Sequence, residues 1–255
     1  VADEEIAMSE DVLLDEGRRG LSEVERVLDV FVAPAATFTD ILRSASWWLP
    51  FVLILIVSTL STYSIDRHVG FSRVAENTVQ ASPKQAEQMS ELAPADRAQQ
   101  MEKRAIGTRY FSYAFPLLLL IFLAIYAAIM LGIFNFGLGA KMTYGQSMAV
   151  TIYASLPYLL ISVLTILTVT FGNNAETFNI QNPVGTNPAY FLSDAAPWVK
   201  TLLTQFDLVR LWSLALTVVG FKIVAKKSTG QAAAVVVGWW LLVLLVSVAA
   251  TAAFS

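Results

Sequence analysis

The sequence predicts an all-α fold, a polytopic membrane bundle of five transmembrane helices preceded by amphipathic N-terminal helices. Three observations lead there. Ser44 to Ile65, Tyr110 to Ala140, Met142 to Ala175 and Ser228 to Ser255 contain no Asp, Glu, Lys, Arg or His, and each is long enough to cross a hydrocarbon core about 30 Å thick, which takes roughly 20 apolar residues as a helix. A fifth run, Thr201 to Ala225, is broken only by Asp207, Arg210 and Lys222. The composition is 56% hydrophobic and 15% charged, where soluble domains carry about 25% charge, and the mean hydropathy is +0.59. The spans fall at about 47–65, 110–135, 147–171, 203–225 and 232–254 within a membrane domain covering 47–255. Residues 1–20 read as an acidic flexible N-terminus, 21–46 as cytoplasmic amphipathic helices and 66–109 as an outer helical loop.

Residues 1–46 hold eleven acids against four arginines. Within them Ser22-Glu-Val-Glu25 has the spacing of a capping box, so a helix is expected to start there. Leu21, Val24, Val27, Leu28 and Phe31 recur three and four apart and form one apolar face, and Pro34 ends or kinks that helix. A second short helix follows, with Phe38, Ile41, Leu42 and Ala45 on one side. The preferred reading is a pair of amphipathic helices lying on the inner membrane surface or against the bundle; a docking helix for a partner is the alternative. Trp47-Trp48 and Pro50 mark the start of the first span, where indoles favour the headgroup level. That first apolar run begins past residue 43, so it is expected to stay in the mature chain. The opening Val is read either as a truncated start or as a bacterial GTG start codon read literally, with Met8 as another start, and the bacterial reading is preferred.

The loop from Asp66 to Arg109 turns to Gln, Glu, Ala and Met. Ser82-Pro83 and Pro94 each place a proline at the first position of a short helix, so two mostly solvated helices are expected outside the membrane. Their balanced charge keeps the loop soluble or serves an extracytoplasmic partner. Orientation follows from Lys and Arg beside the spans. Arg18, Arg19, Arg26, Arg43, Lys141, Lys222, Lys226 and Lys227 fall on one side if the N-terminus is cytoplasmic and the C-terminus outside, whereas the opposite loop at Gly172 to Lys200 offers only Lys200. The long 66–109 loop, with seven basic and six acidic residues, disagrees; long loops translocate largely regardless of charge.

Inside the membrane, Pro116 and Pro157 are expected to kink their helices. Asn135 reads as an interhelical hydrogen bond or an interface cap rather than a ligand. Asp207 and Arg210, three apart, can pair on one helix face. Arg210 lies 16 residues before Lys226, about 24 Å along a helix, which leaves it about 6 Å inside the outer boundary and within snorkelling reach. An interfacial ion pair is preferred there over a buried polar site for a substrate or proton. The loop after the third span, with Asn173-Asn174, Asn182-Pro183, Gly185 and Asn187-Pro188, reads as irregular turns.

Zero cysteines exclude disulfides and thiolate chemistry, and the single histidine, His68, leaves no zinc-protease motif and no Ser-His dyad in the membrane. Gly145-Gln-Ser147-Met-Ala149 misses the G-x-S-x-G pattern, and no P-loop occurs. No catalytic, cofactor or metal site, and no nucleic-acid partner, is therefore expected. The expected partners are the lipid bilayer and other membrane proteins.

The ordered set Pro34-Ala-Ala-Thr-Phe38, Ile41, Trp47, Pro50, Pro157, Leu211-Trp212-Ser-Leu and Gly220-Phe-Lys222 resembles that of Yip1-domain membrane proteins over roughly residues 24–254. The resemblance implies five membrane helices and a cytoplasmic N-terminus. It also implies either of two settings: small-GTPase binding in vesicle traffic, as in eukaryotic members, or association with ABC exporters of the macrolide-exporter type, as in some bacterial ones. The reading drawn is a non-enzymatic accessory or scaffolding subunit of a membrane complex, possible exporter subunits included, in a bacterial cytoplasmic membrane. The alternatives are a small transporter or channel using Asp207 and Arg210, and a trafficking factor.

Overall fold

A computed structural model describes residues 20–172, 175–192 and 195–254, and every long regular element among them is helical. The acidic segment 1–19 and the pair Asn173-Asn174 lie outside the described residues.

Helix α1 (Glu23–Val32) starts as the capping box dictates: the Ser22 hydroxyl accepts from the Glu25 amide at 3.2 Å while the Glu25 carboxylate accepts from the Ser22 amide at 2.7 Å. Pro34 opens α2 (Pro34–Asp40), which packs along a later membrane helix, so this pair lies against the bundle. The predicted apolar face of α1 divides. Val27 and Phe31 turn inward, but Val24 and Leu28 face outward, because the buried side of the helix is the opposite one, which carries Arg26 and the fully buried Val30.

Helix α3 (Trp48–His68) is the first predicted span. Gly70 then adopts φ +80°, a left-handed value open to glycine, and turns the chain straight into α4 (Phe71–Gln80), a helix the sequence reading did not anticipate. Phe71, Val74, Ala75 and Val79 of α4 are buried, and the first three form a second small core with Ile65, Ala105, Val169 and Phe178. α5 (Pro83–Ser90) and α6 (Pro94–Gly132) start at their prolines as expected, but α6 does not stop. Its 39 residues, about 58 Å of helix, carry the solvated segment and the second span as one rod through Pro116. Nothing between Arg104 and Tyr110 caps a helix or removes an amide, so the end expected near residue 109 is absent. Arg109 and Tyr113 both donate to Asp66 Oδ2, at 3.0 and 3.1 Å, and fasten the rod to the end of α3.

A π-helical turn, Ile133–Gly137, finishes this rod. Pro157 does interrupt its helix, leaving α7 (Tyr144–Ser155) and α8 (Tyr158–Phe171). α7 is the axis of the bundle: every residue from Ser147 to Ser155 is buried, and α6 and α10 flank it. Its small polar residues allow the close approach. Ser147 donates to the Ala127 carbonyl at 2.7 Å, and Ser213 donates to the Ala154 carbonyl at 2.6 Å. The predicted span at 203–225 is split into α9 (Pro197–Thr204) and α10 (Leu208–Val224), because Asp207 caps a new helix. Lys226, with φ 53°, then closes α10 and leads into α11 (Thr229–Phe254).

Four stretches, 48–68, 94–137, 144–171 and 229–253, are long and apolar enough to cross a membrane. The fifth predicted span, α10, has 17 residues, about 26 Å.

Candidate functional site

The residues singled out by sequence converge on two places. The first lies where α1 and α2 meet α7 and α10. Phe38 and Ile41 are fully buried there, and Gly220 on α10 is what admits Phe38: a Cβ at Gly220 would stand 3.0 Å from Phe38 Cε1 and 2.5 Å from Val150 Cγ1. Trp212 of α10 meets Phe31 of α1 edge to face at 5.7 Å, and Trp47 meets Phe51 in the same way at 6.3 Å. Pro50 is buried at the start of α3, and Pro34 sets the start of α2. Pro157 stands apart, at the break between α7 and α8.

Beneath this apolar contact runs a polar knot that the sequence reading missed. The Arg26 side chain is 1% exposed. Its Nε donates to Asp40 Oδ2 at 2.5 Å, its Nη1 donates to the Ser44 carbonyl at 3.0 Å, and Glu23 lies 3.6 Å away. Arg43 completes the set by donating to Asp40 Oδ1 at 2.8 Å and to the Leu21 carbonyl at 3.1 Å. The Tyr153 hydroxyl of α7 donates to Glu23 Oε2 at 3.2 Å, and the Thr37 hydroxyl donates to the Arg26 carbonyl at 3.0 Å. Burial pushes the Asp40 carboxyl up, but hydrogen bonds from Arg43 and Arg26, with both positive charges, outweigh it and hold the pKa below its ordinary 3.8. The Asp40 contact likewise raises the Arg43 guanidinium pKa. A sequence signal existed: Arg26 sits four before Val30 and three after Glu23, on the inward side of α1.

The second place is the start of α10. Asp207, 6% exposed, is its N-cap, accepting from the amides of Val209 at 2.9 Å and Arg210 at 3.2 Å. Its other oxygen accepts from the Thr186 hydroxyl and, at 3.4 Å, from Asn187 Nδ2. The expected Asp207–Arg210 ion pair does not form among the described residues. A residue at the N-cap points its carboxylate back at free amides, while the Arg210 side chain turns to Gln205 Oε1. The sequence marks Asn187 only as a turn residue and Thr186 not at all, because only the fold brings the 175–192 loop over this cap.

Asn135, in the π-helical turn, bonds both backbone groups of Met142: Nδ2 donates to the carbonyl at 2.9 Å and Oδ1 accepts from the amide at 3.0 Å. It closes the connection between α6 and α7.

No curated protein and no solved structure matches the chain significantly. Residues 28–250, from the middle of α1 to near the end of α11 and including Phe38, Gly220 and Asp207, match the Yip1 domain, and the chain belongs to the Yip1-domain family.

Proposed function

We propose that this protein is a non-enzymatic scaffold of a larger membrane assembly, which docks a partner through the outward face of α1. The observation that carries the reading is a rigid apolar stripe. Val24, Leu28 and Val32, spaced four apart on α1, are 59%, 61% and 80% exposed, while the opposite face of the same short helix is pinned by Arg26, Asp40 and Phe31. A helix held by a buried ion pair on one side and bare of cover on the other is preorganised for a partner, since little ordering entropy remains to be lost on docking. The chain crosses the bilayer five times, with α10 as the fourth crossing. Its N-terminus and the Lys141, Lys222, Lys226 and Lys227 positions are cytoplasmic, and its C-terminus is outside. The partner in this reading is another membrane protein, with ABC-type exporter subunits as one candidate.

Membership of the Yip1-domain family favours a second form of the same role, in membrane traffic, where the partner on α1 is a soluble small GTPase. A transport role for Asp207 draws less support, because neutral donors already fill that carboxylate. The test is purification in gentle detergent of the tagged wild type beside Leu28→Asp and Val32→Asp, with mass spectrometry of what accompanies each. A stoichiometric partner held by the wild type and lost from both variants supports docking on α1, and its identity separates exporter from traffic. A lone monomer or homo-oligomer in all three overturns the reading.

A further inference from the structure

Between α6, α7, α8, α10 and α11 the bundle leaves a cavity of about 230 Å³. Arg210, Trp240, Tyr126 and Tyr158 line it. Among the described residues, two buried side-chain polar atoms lack any hydrogen-bond partner, Arg210 Nε and Trp240 Nε1, and both belong to this cavity. Folded proteins leave few such groups, because each costs about 1–3 kcal/mol, and two donors orphaned at one place mark a site for an acceptor.

The charge and the proton inventory agree on the kind of acceptor. Arg210 has no carboxylate partner among the described residues, and the nearby Asp207 is saturated by Thr186, Asn187 and two backbone amides. The Ser and Thr hydroxyls of the lining are spent inward: Thr151, Ser155, Ser213 and Thr217 donate to the carbonyls of Ser147, Ile152, Ala154 and Ser213. The unpartnered donors left for an occupant are a guanidinium and an indole, neither of which can accept, and the Tyr126 and Tyr158 hydroxyls of the lining can also donate. A cation is repelled here and an anionic oxygen is doubly served.

Geometry gives the route. α6 and α11 both border the cavity yet make little direct contact with each other. Two of the cavity's lining residues, Tyr158 on α8 and Val243 on α11, are exposed on the faces of membrane helices. The slot thus opens sideways toward hydrocarbon. Its volume falls below the roughly 300–1,000 Å³ that encloses a whole drug-sized ligand, so it suits a headgroup whose tail stays outside. We propose that this lateral slot binds the anionic headgroup of a membrane amphiphile, a phosphate or carboxylate, through Arg210 and Trp240.

The test uses the full chain, delipidated in detergent and titrated with dioleoylphosphatidylglycerol, dioleoylphosphatidylcholine, oleate or inorganic phosphate, with native mass spectrometry and indole fluorescence as readouts. The expected result is retention of phosphatidylglycerol or oleate in preference to phosphatidylcholine, weakened about tenfold in Arg210→Gln, the usual scale of a lost charge-assisted hydrogen bond. Trp240→Phe, which keeps the ring and removes the N–H, weakens it severalfold and serves should Arg210→Gln fail to fold. Lys222→Gln, a charge removed elsewhere on α10, leaves the preference intact. Equal retention of the two phospholipids, or unchanged preference in folded Arg210→Gln and Trp240→Phe, overturns the proposal. Binding of inorganic phosphate without either anionic amphiphile overturns the bilayer as the source.

Discussion

Phe38 of α2 lies against the bare backbone of Gly220 on α10, close enough that a Cβ at that glycine would come within 3.0 Å of Phe38 Cε1 and 2.5 Å of Val150 Cγ1. Neither neighbour can retreat easily, since Phe38 and Val150 are both fully buried. Gly220→Ala gains up to about 1 kcal/mol of helix propensity, but overpacking a tight core costs about 1–3 kcal/mol. A net loss of about 1–2 kcal/mol is expected. Thermal unfolding in detergent reads it, and Val150→Ala in the same chain should recover part of the loss. A Gly220→Ala protein as stable as wild type would mean that α2 does not sit where described.

Asp40 holds Arg26 in a position almost without solvent. Asp40→Ala leaves that guanidinium with the Ser44 carbonyl and a distant Glu23, and breaking a buried pair costs about 3–5 kcal/mol. Glu23 and Ser44 reduce this, so about 3 kcal/mol is expected, concentrated in α1 and α2. Hydrogen exchange should accelerate over residues 23–40 while α7 stays protected. Equal acceleration across both regions would show that the knot supports the whole bundle rather than the N-terminal cap.

The same carboxylate predicts an acid transition. Its folded pKa is depressed below the ordinary 3.8, so its contribution is fully present above that value and is lost as pH falls through the lower folded value. Partial release of α1 and α2 is therefore expected only below about pH 4, with no change between pH 5 and 8. Proteolysis by pepsin, active in acid, should cut residues 23–44 first, and Asp40→Asn should abolish the pH dependence of that cut.

Much of this architecture was readable in the residues, for reasons that differ between elements. Ser22 and Glu25 form their capping box because its bonds are local, and the prolines at 34, 83 and 94 start helices because a missing amide costs no hydrogen bond in the first turn. The long α6 is not legible in composition, because a change from polar to apolar residues at position 110 is a change of solvent, which does not by itself end a helix. The spacing of Asp207 and Arg210 suggests a pair, but spacing says nothing of where a helix begins, and Asp207 lies just outside α10. The contact of Arg26 with Asp40 is hidden for the opposite reason. The two are fourteen residues apart, and only the turn at Pro34 brings them together.

Asn135 replaces two backbone hydrogen bonds that the turn from α6 to α7 cannot make by itself. Asn135→Ala leaves both groups of Met142, a buried residue, without these partners, at about 1–3 kcal/mol. Asn135→Asp keeps the acceptor for the amide but places a charge against the carbonyl, so it should be at least as harmful. Detergent melting curves ordered wild type, then Ala, then Asp would bear this out, and an Asp variant more stable than Ala would contradict it.

The absence of cysteine from the chain makes the membrane topology directly measurable, because any single introduced thiol is the only one present. The decisive helix is α10. If it crosses, Ser22→Cys and Ser228→Cys react on the cytoplasmic side, and Ser90→Cys and Gln181→Cys react outside. If α10 instead stays on one side, Ser228 joins Gln181, and α11 runs in the opposite direction. Its 17 residues give about 26 Å, somewhat short of a core of about 30 Å. Lys222 and Lys226 can extend it at one end by snorkelling, and the Asp207 cap satisfies the free amides at the other. Those two devices let a short helix reach both interfaces, so labelling of Ser228 from the cytoplasm is the expected outcome.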